Sequence, residues 1–167
     1  MLTKIYVSHN DEFSNCGRFV ELNSEVDYAI IEIEPLEGRT AIQIPDDLPR
    51  KHKQWKEAFA VMNRLFYTGY PNSTGPLTIS GESAGYNDGD YLYAISYAWS
   101  GSSGSGVFSQ QGQYIGYVLA VDVGEGFIGQ PAVLENVVLI VPAFRINWES
   151  VLGLPPLQMS EAQDTSN

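Results

Sequence analysis

Between residues 65 and 143 the chain passes through six short runs rich in β-branched and aromatic residues: "LFYTGYP", "PLTIS", "YLYAISYAW", "GVFS", "YIGYVLAV" and "NVVLIVPA". Gly, Asn and Asp cluster between them, as closely spaced antiparallel hairpins require. Six strands are enough to close a small barrel. Upstream, "KIYV" and "GRFVEL" read as short strands, and "VDYAIIEIE" at residues 26–34 as a stronger one, apolar on both faces until it alternates at its end. Pro35, Pro45 and Pro49 then punctuate a linker. Trp55, Phe59, Met62 and Phe66 recur at helical spacing, which predicts a helix from about residue 48 to 64 with an aromatic stripe packed on the core. "AFRINWESVLGL" predicts a short amphipathic helix, and "PPLQMSEAQDTSN" a polar tail.

Composition supports an all-β fold. Charged residues make up 17%, below the roughly 25% usual for globular domains, while 16 Gly and 10 Tyr suit turns and strands. With 167 residues, 44% of them apolar, the chain can fill one sizeable domain or two small barrels sharing an interface.

Twenty acidic against nine basic residues give a net charge of −11, which repels a phosphate backbone and an anionic membrane surface. Nucleic acid and membranes are therefore not expected partners. The exception is "RKHKQWK", residues 50–56, which reads as a solvated helix face whose cations could hold an acidic ligand. A lone Cys16 rules out an internal disulfide and a Cys-based zinc site, and leaves the compartment open; no metal or cofactor is expected. No apolar run reaches bilayer length, and "MLTKIYVSHNDEF" lacks the apolar stretch of a signal peptide, so the chain reads as soluble. Asn72-Ser73-Thr74 is a glycosylation sequon, relevant only to a secreted protein.

Two serine motifs compete for chemistry. "GESAG" at residues 81–85 satisfies G-x-S-x-G, in which Ser83 would sit on a strand-to-helix turn followed by an acid and then a histidine. The segment after it, "YNDGDY", is a turn, and both histidines, His9 and His52, precede it. A hairpin relieved by its glycines is the plainer reading. The second motif, "GSSGSGVF" at residues 101–108, falls between predicted strands and so forms a tight loop held by sheet on both sides.

This loop resembles the G-x-S-G nucleophile loop of trypsin-like serine peptidases, with Ser103 as the nucleophile and Gly101 two residues before it. The resemblance implies that the N–H groups of Gly101 and Ser103 form an oxyanion hole, with Gly101 permitting a peptide orientation that a side chain would hinder. "VDYAIIEIE" resembles the same family's Asp strand and implies that Asp27 orients the catalytic imidazole. "YTGYP" resembles the strand opening the second barrel, "QYIGYVLAV" the strand that pairs with a bound peptide, and "VVLIVPAFRINWESVL" the closing strand and C-terminal helix. Tyr97, six residues before Ser103, falls where the family often sets the floor of its specificity pocket, which implies an apolar or aromatic pocket.

The resemblance thus implies a double β-barrel with the first barrel incomplete. Residues 1–44 would be a remnant of the first barrel carrying the Asp strand, and residues 45–65 a linker with the inter-barrel helix. Residues 66–154 would form the second barrel with the nucleophile loop and a C-terminal helix, and residues 155–167 a polar tail. It implies a serine endopeptidase acting on peptides or proteins through an acyl-enzyme on Ser103. No T-A-[AGS]-H type stretch is present, and His9 has one short strand before it where the family has several. The chain is therefore expected to be inactive or incomplete as it stands, either the C-terminal portion of a longer peptidase lacking an N-terminal segment or a truncated relative. Two alternatives are a peptidase homologue that binds peptides without cutting them and an esterase using Ser83.

Overall fold

A computed structural model describes residues 6–9, 12–15, 18–42, 44, 52–125 and 131–153. The hairpins expected from the sequence are present. Strands β5 (Val61–Gly69), β6 (Leu77–Tyr86), β7 (Leu92–Ile95), β8 (Gly106–Ser109), β9 (Tyr114–Glu125) and β10 (Pro131–Pro142) close into an antiparallel barrel in the order β10-β7-β6-β5-β8-β9. Before the barrel, β1 (Tyr6–His9) pairs with β2 (Glu12–Asn15), and β3 (Arg18–Asn23) with β4 (Tyr28–Glu32), as two separate two-stranded sheets. Among the described residues the architecture is thus all-β, one closed barrel preceded by two ribbons.

Two apolar clusters organise the molecule. Inside the barrel, Leu65, Leu92, Val107, Val118, Val138 and Ile140 alternate inward along their strands and are buried. Outside it, Val26 and Tyr28 of the β3–β4 ribbon pack with Tyr117, Val141, Ile146 and Trp148. The Tyr117 hydroxyl donates to the Val26 carbonyl at 2.9 Å, and the Asn147 N–H donates to the Tyr28 hydroxyl at 3.1 Å. These bonds and the apolar contact fix the ribbon on the barrel. The short helix α2 (Trp148–Leu152) is capped by Asn147, whose Oδ1 accepts from the Ser150 N–H, and ends at Gly153 in the left-handed region.

The structure departs from the sequence reading at four points. Of the helix predicted over 48–64, residues 48–51 lie outside the described residues, α1 (His52–Ala58) is helical, and the chain is already strand from Val61. Trp55 and Phe59 do pack together at 5.4 Å, but Met62 is 85% exposed with φ of 56°, at an irregularity in the β5–β6 pairing. A bulge there imitated the helical period. "YLYAISYAW" is strand only to Ile95, because Tyr97 to Trp99 leave the sheet to begin the serine loop. Asp27 belongs to the turn preceding β4, with φ of 58°. The ribbon β1–β2 includes a strand, Glu12–Asn15, that the sequence reading missed. Cys16, Arg50, Lys51 and the tail from residue 154 lie outside the described residues.

Candidate active site

The loop from Trp99 to Ser105 is anchored on both flanks. On one side the Tyr70 N–H donates to the Gly101 carbonyl at 3.4 Å and the Asn72 N–H to the Ser100 carbonyl at 2.7 Å. On the other, Gly104 N–H donates to the Val118 carbonyl at 2.7 Å, and Val118 N–H donates back to the Ser105 carbonyl at 2.9 Å. Within the loop, Ser102 is fully buried. Its N–H donates to the Trp99 carbonyl at 2.8 Å and its Oγ accepts from the Trp99 N–H at 3.2 Å. The Tyr67 hydroxyl donates to the Tyr97 carbonyl from below. Gly69 makes room for the loop, since a Cβ there would lie 2.9 Å from Ser105 Oγ.

Ser103 sits at the exposed crest. Among the described residues, neither its N–H nor that of Gly101 donates a hydrogen bond, whereas the N–H groups of Ser102, Gly104 and Ser105 all do. The Ser103 hydroxyl donates to the Leu119 carbonyl at 3.0 Å. A carbonyl oxygen can orient that hydroxyl but cannot remove its proton at neutral pH.

Asp27 and Gly104 line one cleft of about 250 Å³ together with Tyr28, Tyr114, Tyr117 and Ile146. The acid from the β3–β4 turn therefore shares a wall with the residue following Ser103. Burial pushes the Tyr114 phenol up to about 12. Burial likewise raises Tyr117, helped by the charges of Tyr114 and Asp27. Both phenols stay neutral at physiological pH, so neither adds a competing anion beside Asp27. The tyrosines of this cleft escaped sequence reasoning, since nothing in "YIGYVLAV" says which ring faces a turn nearly a hundred residues earlier.

The other sequence candidates are placed differently. Ser83 is 4% exposed in the interior of β6, and its Oγ accepts from the Asn63 N–H at 3.0 Å. No strand-to-helix elbow exists there, which overturns the esterase reading. Both glycines of "GESAG" have structural reasons: a Cβ on Gly81 would lie 2.5 Å from the Ile95 carbonyl oxygen, and Gly85 has φ of 120° at a bulge opposite β7. His9 ends β1 and His52 begins α1. Tyr97 is exposed and stacked on Trp99, with ring centroids 6.0 Å apart. Among the described residues no group of His, Cys, Asp and Glu could hold a metal ion, and no helix is long and apolar enough to cross a membrane.

Comparison with known proteins agrees with this architecture. No curated protein matches the chain. The crystal structure of a serine endoprotease from Yersinia pestis is similar at a TM-score of 0.61 with 16% identity, over 83% of this chain and 44% of that one. At that identity the likeness shows the fold, and the chain spans less than half the length of that structure. The model of the trypsin-like peptidase domain matches residues 3–116, which include the Asp27 turn and the entire Ser103 loop. The chain belongs to the trypsin-like peptidase domain family.

Proposed function

We propose that Ser103 is the nucleophile of a trypsin-like serine endopeptidase whose substrates are peptides or proteins. The anchored loop carries this reading: it exposes Ser103 while leaving the N–H groups of Gly101 and Ser103 uncommitted among the described residues. Attack on a peptide carbonyl places negative charge on its oxygen, and two fixed amides are worth most where that charge develops. In this scheme a histidine takes the Ser103 proton and Asp27 orients the imidazole. The imidazolium then protonates the leaving amine, and water releases the acyl-enzyme. The cleft shared by Asp27 and Gly104 supports the role given to the acid. Because the hydroxyl donates to the Leu119 carbonyl and to no base among the described residues, the chain alone is expected to be catalytically silent.

That same bond favours a second reading, a peptidase homologue that grips extended peptides without cutting them. A fluorophosphonate probe with peptide mapping, applied with and without added imidazole as a surrogate base, separates the two. Labelling at Ser103, strengthened by imidazole, supports the peptidase. Retained peptide binding with no label under either condition supports the non-catalytic homologue.

A further inference from the structure

The basic run "RKHKQWK" plays no part in the chemistry above, yet its described portion does not stand alone. Lys53 and Lys56 of α1 meet Asp90 of the β6–β7 turn, Phe144 and Arg145 around a cleft of about 360 Å³. Three of the nine basic residues of a chain with net charge −11 thus converge from distant segments, with Asp90 the carboxylate among the lining residues and Glu57 beside Lys53. This cleft shares no lining residue with the one formed by Asp27 and Gly104.

Two of the cations are held in place. The Arg145 guanidinium lies 4.3 Å from the Tyr91 ring centroid, and its Nη1 donates to the Gly89 carbonyl at 2.8 Å. That bond commits one of five N–H groups and orients the planar fork. Lys56 pairs with Asp90 and stands 5.3 Å from the Tyr86 ring centroid, so its ammonium is positioned from two sides. Lys53 is 89% exposed along its side chain and meets Glu57 only at 3.9 Å, which leaves it able to swing over the mouth. Lys56 is matched by Asp90 and Lys53 meets Glu57 only loosely, which leaves the Arg145 guanidinium without a carboxylate partner among the described residues, a positive excess that an anion in the cleft balances.

We infer that this cleft binds a multiply charged oxyanion, the chemistry shared by phosphate groups and clustered carboxylates. The full chain is titrated with inorganic phosphate and, separately, with a tri-aspartate peptide, at ionic strength held constant with KCl, and followed by amide NMR shifts. Saturable shifts at residues 53–56, 89–91 and 144–145 are expected, and the titrant that produces them identifies the source of the oxyanion. Arg145→Gln and Lys56→Gln should each weaken binding about tenfold, while Arg64→Gln, whose guanidinium lies over the Phe66 ring on β5, leaves it unchanged. Shifts that fail to saturate, or that persist undiminished in Arg145→Gln, overturn the inference. Should either variant fail to fold, Lys53→Glu at its exposed position is expected to weaken binding about fivefold or more with an unchanged melting curve. Unchanged affinity in that variant overturns the inference equally.

Discussion

Tyr70 and Gly101 interlock: the Tyr70 N–H donates to the Gly101 carbonyl, and a Cβ on Gly101 would lie 2.3 Å from the Tyr70 carbonyl oxygen. Gly101 also has φ of 94°, where L side chains are strained. Gly101→Ala is therefore expected to cost about 1–3 kcal/mol from backbone strain alone, with the clash added. Denaturant unfolding measures the loss. Because the loop must shift to admit the methyl group, reaction of Ser103 with a fluorophosphonate in added imidazole should fall in parallel.

Ser83 offers the opposite test. Its hydroxyl accepts the Asn63 N–H inside β6, so Ser83→Ala leaves a part-buried donor without its partner. A stability loss of about 1–3 kcal/mol is expected, with probe labelling at Ser103 unchanged. Labelling that disappears in Ser83→Ala while the fold persists would contradict the structural role.

The barrel interior sets the largest stability effects. Leu92 is fully buried among Leu65, Val138 and Ile140, and truncation to Ala should cost about 2–5 kcal/mol through lost transfer energy and the cavity left behind. An exposed control such as Leu22→Ala on β3 is expected to stay within about 0.5 kcal/mol. Chemical denaturation midpoints of the two variants compare them directly.

Tyr114 makes the alkaline limb predictable. Burial raises its phenol from 10.0 to about 12, so above the lower value the unfolded chain releases a proton that the native state retains. Stability from this group is complete below pH 10.0 and is lost as pH rises towards about 12. Tyr86 and Tyr117 shift the same way through burial and steepen the decline. Tyr114→Phe should flatten part of the slope, measured as unfolding midpoint against pH alongside ultraviolet phenolate titration.

The barrel was legible because its signals are local: β-branched runs with Gly, Asn and Asp between them report strand and turn directly. "GVFS" coincides with β8. The run from Trp55 to Phe66 was misread because a bulge at Met62 shifts the strand's phase until it resembles a helical stripe. The four-residue strand Glu12–Asn15 lacks the apolar pattern by which strands are recognised. At the candidate site, the Ser103 loop was readable from its small residues and flanking strands. The Asp27–Gly104 cleft was not, since its walls meet only through packing of the β3–β4 ribbon on Tyr117 and Ile146.

The bond from the Tyr117 hydroxyl to the Val26 carbonyl reaches the residue just before Asp27, and Tyr117 is followed on β9 by the two residues whose carbonyls receive Gly104 and Ser103. Asp27 and Ser103 thus hang from a single girder. A displacement of the loop crest is therefore expected to pass along three consecutive residues to the turn that carries Asp27, so that the two ends move as one mechanical unit.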